Sequence, residues 1–189
     1  MDELEVIRRS QRGESDVFRL LVERYGKVLF GTAYLMTHDR SLAEDMVQEA
    51  LLLAWRSLPS FHSGTNFKAW LLRILVNRTL ADRRKKRVAE VQLAEAMPDP
   101  PDHEDTEETV LSKEERRLVG QALNALSQDR RQAVVLRYYS DLTVPEVARV
   151  LGCREGTVKS RLHRALKQLR ELLSSEQFQG QFMTAEVEP

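Results

Sequence analysis

Cysteine occurs once in the 189 residues, at Cys153, so no intramolecular disulfide can form. The four histidines, His38, His62, His103 and His163, are scattered and have no cysteine partners at the spacing of a zinc site. No run of 18 apolar residues is present, which excludes a membrane-spanning helix and direct membrane insertion. The opening segment MDELEVIRRS is charged and lacks the apolar stretch of a secretory signal. Neither a P-loop Gly-Lys-Ser/Thr nor an HExxH motif occurs, so phosphoryl-transfer and zinc-hydrolase chemistry lack their residues. Sustained period-two alternation of β-branched residues is missing as well, which removes the signature of a sheet. These absences predict a soluble, cytoplasmic, all-α protein without a structural metal, and they give no support to a phosphoryl or metal enzyme or to a cofactor.

Net charge is also lacking: 29 basic residues balance 29 acidic ones. The balance hides segregation. Lys68 to Arg87 contains eight bases and one acid, Glu90 to Glu115 ten acids and one base, and Thr143 to Glu171 seven bases and three acids. Two basic blocks thus flank an acidic one. Such blocks are often just solvated helix faces around a disordered connector. The sharper reading is two surfaces for an anionic ligand, with nucleic acid the natural one. The stretch MPDPPDHEDTEE from Met97 is rich in proline and acid and holds almost nothing to bury, so it reads as a linker. The predicted organisation is a helical domain over 1–88, an acidic flexible linker over 89–108, a second helical domain over 109–175 and a tail over 176–189. A fully extended linker of that length spans at most ~70 Å, enough for two domains to grip separated sites.

Within the second domain, TVPEVARVLGCREGTVKSRLHRALKQLR has the punctuation of two helices. Thr143 and Glu146 stand at capping-box spacing, Leu142 and Val147 at staple spacing, and Pro145 lies in the first turn, where its missing N–H costs nothing. Val144, Val147, Ala148 and Leu151 form one apolar face, and Gly152 follows as a helix-ending glycine. The next helix has an apolar stripe of Val158, Leu162, Ala165, Leu166, Leu169 and Leu173. Lys159, Ser160, His163, Arg164 and Lys167 fall on another face. An αα-hairpin with a charged outer face would share part of this pattern. A helix-turn-helix accounts for all of it: the second helix fits a major groove, its first turns reach base edges, and flanking Lys and Arg hold phosphates.

In the first domain a helix is expected from Ser41, with Glu44 completing a capping box. It contains AEDMVQEALLLAW, in which Asp45, Gln48, Glu49 and Leu52 share a polar face, while Met46, Val47, Ala50 and Ala54 share an apolar one. A further helix is expected from about Thr65 to Arg84, with Phe67, Trp70, Leu71, Ile74 and Leu75 on its buried side. That spacing assigns Phe67 and Trp70 to the core, while the charge of the cluster Arg83 to Arg87 reads as a general phosphate anchor.

GCREGTVKSRLHRALKQLR closely resembles the promoter-reading C-terminal domain of bacterial RNA polymerase sigma factors, and the length and two-domain layout resemble their extracytoplasmic-function (ECF) subfamily. The resemblance spans roughly residues 10–174. It implies that Lys159, Ser160, His163 and Arg164 read the minus-35 element, joined by Lys167, with Arg154 and Thr157 near the helix start meeting phosphate. It implies that Asp45, Gln48 and Glu49 dock on the β′ clamp helices of core RNA polymerase, with Leu52 and Trp55 as apolar anchors, and that the polymerase β flap is a second contact. FHSGTNFKAWLLRILVNRTLADRRKKR resembles the minus-10-reading and melting region. There Phe61 would stack on a base, and the loop His62, Ser63, Gly64, Thr65 and Asn66 would form a pocket for a base drawn from the stack. Arg73, Asn77, Arg83, Arg84 and Lys85 would line the DNA, Asn77 being suited to an adenine edge. The family further implies an acidic linker in the polymerase RNA path and a controlling anti-sigma factor that can hold the chain at the inner membrane face. The competing reading is a stand-alone helix-turn-helix regulator. It leaves the Asp-x-x-Gln-Glu helix and the basic helix before the linker without a purpose.

Overall fold

The first helix, α1 (Glu3–Gln11), carries acids in its first turn and arginines in its last, matching the helix dipole, and buries Val6, Ile7 and Ser10. It was obtained, like the rest of the chain, as a computed structural model, which describes residues 2–62, 64–77 and 113–174. A turn through Gly13, at φ 93°, leads to α2 (Ser15–Thr37). That helix of 23 residues is about 35 Å long and forms the spine of the N-terminal half. His38 ends it in the left-handed conformation at φ 55°. Asp39 then caps α3 (Arg40–Ser57), its carboxylate accepting the Leu42 N–H at 2.9 Å. The helix therefore starts before the Ser41 that the sequence suggested. Ser41 lies inside the first turn, and Glu44 pairs with Arg40 at 3.0 Å instead of closing a capping box. Directly after the left-handed His38, the Asp39 side chain is placed to accept from the open N–H groups, whereas Ser41 already lies inside the helix.

The buried face of α3 is Ala43, Met46, Ala50 and Ala54, a mostly small stripe that lets α2 approach closely. A single 3-10 turn, Leu58–Ser60, follows. Gln11 of α1 donates to the carbonyls of Leu58 and Phe61 at 3.1 and 2.8 Å, tying the end of this turn to the first helix. The next helix, α4, occupies 67–77 within the described residues. Asn66 caps it through an Oδ1 contact with the Ala69 N–H at 3.3 Å. Phe67, Leu71, Leu72, Leu75 and Val76 are buried, and Trp70 and Ile74 pack partly buried against them, on the spacing the sequence predicted. Expected positions beyond residue 77 lie outside the described residues, as does the linker.

The C-terminal half comprises α5 (Lys113–Asn124), α6 (Gln128–Val134), α7 (Val144–Leu151) and α8 (Glu155–Leu173). Arg131 gathers the carbonyls of Leu123, Asn124 and Leu126 at 2.9 to 3.2 Å and closes the end of α5. α6 widens over Val135–Tyr139 into a turn of π-helix. The segment leaves that turn through Ser140 and through Asp141, which stands at φ 50°. Among the described residues every regular element is helical. The buried side chains of both halves join one continuous hydrophobic cluster, from Val6 to Ala165.

Candidate nucleic-acid interface

The helix-turn-helix forms as its punctuation predicted. Thr143 and Glu146 make the capping box, with the Thr143 N–H and hydroxyl donating to Glu146 Oε2 at 2.8 and 2.7 Å. Leu142 and Val147, the staple pair, are both fully buried. Gly152 takes the left-handed conformation at φ 62°, and the Cys153 N–H reaches back to the Ala148 carbonyl at 3.0 Å, a Schellman closure. Only three residues, Gly152 to Arg154, separate α7 from α8. Val158, Leu162 and Ala165 seat α8 on the core with Leu169 half-buried, but Leu166 and Leu173, expected in the stripe, are 39% and 37% exposed. α8 packs chiefly on α6 and α7, and the outer edge of the stripe stays open to solvent.

α8 is held at both ends of its contact with α6. Arg161 donates to Asp129 at 2.6 Å, and Arg130 donates to Gln168 at 2.8 Å, while Gln168 donates to the Ala125 carbonyl at 2.9 Å. The sequence pattern does not single out Arg161, because its partner lies 32 residues away and no local spacing announces the pair. Its basic charge belongs to the packing of α8 and not to the reading face. The remaining side chains, Arg154, Thr157, Lys159, Ser160, His163, Arg164 and Lys167, are all exposed on the outer side. Lys167 lies 3.9 Å from Glu171, a loose pair that leaves its ammonium in solvent. The face offers two hydroxyls, an imidazole and four cations along between three and four turns, which is the chemistry of phosphate and base-edge contact.

The N-terminal half presents two surfaces. On α3, Asp45 and Gln48 are exposed, Glu49 is half-buried, and Leu52 is 58% exposed beside Leu53 at 41%. Two wide-open leucines next to carboxylates are costly in water and suit a partner that buries them. Trp55, expected with them as an anchor, packs on Phe18 at a centroid distance of 5.0 Å and is only partly available. At the start of α4, His62, Gly64, Thr65 and Asn66 are exposed in the loop, and Arg73 and Asn77 are exposed along the helix. Ser63, Arg83, Arg84 and Lys85 lie outside the described residues. Phe61 departs from the expected stacking role. It is 6% exposed and its ring sits 5.1 and 5.2 Å from those of Phe67 and Trp70, so it builds the floor beneath the loop. Burial of its ring area outweighs what one exposed stacking contact would return.

The comparisons with known proteins follow the same division. The family model described as Sigma-70 region 2 matches residues 21–88, and that described as Sigma-70, region 4 matches 116–169. The RNA polymerase sigma-H factor of Pseudomonas aeruginosa is 32% identical over 178 residues, covering 89% of this chain and 92% of that protein. The ECF RNA polymerase sigma-E factor of Escherichia coli K12 is 33% identical over 171 residues, covering 85% of this chain and 88% of that protein. Among solved structures, the sigma factor RpoE of Bartonella quintana, in complex with the anti-sigma factor NepR, superimposes with a TM-score of 0.70 at 31% identity, over 84% of this chain and 98% of that one. A helix-turn-helix with an open basic face, a separate polar and leucine-bearing helix, and relatives matched along nearly their whole length together place the chain among the extracytoplasmic-function sigma factors of bacterial RNA polymerase.

Proposed function

We propose that the chain carries out promoter-specific initiation through three separate surfaces, by binding and not by catalysis. The face of α8, with Lys159, Ser160, His163 and Arg164 at its centre, reads the upstream element, and Arg154, Thr157 and Lys167 hold phosphates. The loop His62 to Asn66, with Arg73 and Asn77 on α4 and the basic cluster beyond it, takes the minus-10 element. Asp45, Gln48, Glu49 and Leu52 on α3 dock on core RNA polymerase. The observation that carries this reading is the exposure of all seven candidate side chains of the helix-turn-helix on one side, while Val158, Leu162 and Ala165 on the other are buried in the core. Membership of the family supports action in the cytoplasm, where polymerase and promoters are. The complex of the Bartonella relative with NepR supports control by an anti-sigma factor.

The test is reconstituted run-off transcription with core polymerase on a library of genomic promoters, which reports activity and sequence preference together. Changing Asp45, Gln48 and Glu49 to Ala should leave the helical circular dichroism intact and weaken core binding at least several-fold, since interface energy concentrates in few side chains. Unchanged affinity for core enzyme would remove α3 from the interface.

A further inference from the structure

The loop His62 to Asn66 is anchored where it enters and where it leaves. Asn66 stands at the head of α4, its side chain on the Ala69 N–H and its carbonyl accepting the Trp70 N–H at 3.1 Å. Within the loop, the Thr65 N–H and hydroxyl both turn to the His62 carbonyl, at 3.4 and 3.1 Å, which bends the loop back on itself. The entry depends on Phe61, whose ring is buried beneath the loop. The Phe61 carbonyl shares one rigid peptide plane with the nitrogen and Cα of His62, so a group that orients this carbonyl also sets the direction in which the loop departs. Gln11, the last residue of α1 and 50 positions earlier in the chain, does so. The two N–H groups of its amide are divided between the Phe61 carbonyl at 2.8 Å and the Leu58 carbonyl at 3.1 Å, at either end of the 3-10 turn.

Gln11 is itself held in place. Behind it the chain turns at Gly13, and Arg9 Nε donates to Glu14 at 2.9 Å across that turn. At the other end of α1, Glu3 accepts the Tyr25 hydroxyl at 2.5 Å and the Arg24 guanidinium at 3.0 Å. The Tyr25 ring lies 5.7 Å from that of Phe67, which meets the Phe61 ring edge-on at 5.1 Å. The contacts close into a circuit of Glu3, Tyr25, Phe67, Phe61 and Gln11, with α1 spanning its first and last members. A pocket for a base drawn from the stack needs walls held to about 0.5 Å if it is to tell one base from another. α1 supplies part of that hold from outside residues 21–88, which the region 2 model matches. We propose that Gln11 is a positioning residue for minus-10 recognition: through the Phe61 carbonyl it fixes how the loop His62 to Asn66 is launched, so that α1 tunes minus-10 selectivity at one remove from the DNA.

The inference rests on the assignment of that loop to the minus-10 element, and paired variants separate the two. Gln11→Met keeps a long unbranched side chain and removes both donors. Run-off transcription with core polymerase is compared on promoters substituted one base at a time in the minus-10 element and, separately, in the upstream element. The variant should bind core polymerase as the parent chain does and keep its upstream preference. Its discrimination between the best minus-10 sequence and single-base substitutions should fall about five-fold or more. Gln11→Glu has the parent's shape but sets carboxylate oxygens against the two carbonyls, and should lose at least as much. Tyr25→Phe keeps the ring on Phe67 and breaks the bond to Glu3. It should cause a smaller loss in the same direction, which tests the circuit even if the Gln11 variants fold poorly. A role confined to stability would lower the melting temperature and reduce transcription from every promoter by one factor, and that result would overturn the proposal. So would a Gln11→Glu chain that discriminates like the parent. His62→Ala and Thr65→Ala serve as reference. If they change minus-10 preference and the Gln11 variants do not, the loop keeps its assignment and the positioning role falls. If neither set changes it, the loop assignment fails and the inference falls with it.

Discussion

Arg164 and Asn77 are single side chains whose roles separate cleanly by experiment. Arg164 is exposed on the outer side of α8, two positions before the exposed Leu166 and next to the fully buried Ala165 that seats the helix. Removing its guanidinium disturbs no packing. Arg164→Ala is expected to cost ~1–3 kcal/mol of promoter binding and to relax preference at one upstream position, measured by competition among promoters varied base by base. Equal weakening of all promoters would make Arg164 a phosphate anchor. Asn77 is exposed near the end of the described part of α4, where the sequence is otherwise Leu, Ile and Arg. Asparagine is a poor helix-interior residue, so its presence there needs a return. Asn77→Ala should reduce open-complex formation and shift preference at one minus-10 position, with core binding unchanged. A pre-melted bubble promoter should recover activity only in part. Full recovery would assign Asn77 to melting alone. Lower thermal stability with unaltered preference would give it a structural role. Residue types and their spacing made both candidates visible in the sequence. Burial did not follow from spacing in the same way, since Phe61 looked like a stacking aromatic until its contacts with Phe67 and Trp70 placed it beneath the loop.

At the scale of an element, α7 was the most legible helix in the chain, because its capping box, staple and terminal glycine are all local. Its cap also has a pH signature. Burial pushes the Glu146 carboxyl up, but the Thr143 N–H and hydroxyl and the Asn66 amide outweigh it and hold the group below the usual carboxylate range. A carboxylate with a lowered folded pKa contributes stability that is complete above its unfolded pKa and is lost as pH falls through the folded value. Glu146→Gln keeps a capping-competent side chain without the charge. The variant should therefore melt below the parent chain near neutral pH, by an amount equivalent to about 1 kcal/mol or less. The gap should close as the pH falls through and below the carboxylate range, as followed by thermal denaturation. A gap independent of pH would show that the charge is not what holds the cap. α3 was legible less completely. Its polar and apolar faces were right, but its start was misplaced by the choice of Ser41 over Asp39. The deciding feature was the left-handed turn at His38, a backbone state that no side-chain pattern declares.

For the molecule as a whole, the segregated charge makes a prediction that no single element carries. On our proposal the basic cluster Arg83 to Arg87 contributes affinity through released counterions and little sequence preference. Replacing its five cations with Gln should flatten the dependence of log affinity on log salt by up to about four units, near 0.9 for each phosphate that is no longer neutralised on duplex DNA. The order of promoters by affinity should not change. Reordering of promoters would instead make the cluster part of the readout, and competition titrations between low and moderate salt distinguish the two. The all-helical class, the helix-turn-helix with its caps, the exposed basic face of α8 and the polar face of α3 followed from the sequence alone. Each depends on residues within one or two helical turns of each other, and helical periodicity and end chemistry act over that range. The relation between the halves did not follow. The sequence suggested two domains free at the ends of a linker, whereas the structure buries Thr32 against Ser140 and seats Tyr139 on Gly31, pairs separated by 108 residues. Contacts at that separation depend on how two finished helical surfaces fit together, and a glycine, two hydroxyls and a tyrosine carry no periodic signal of the fit. The sequence thus determined the chemistry that each surface presents, and only the tertiary structure decided that the two halves pack on each other.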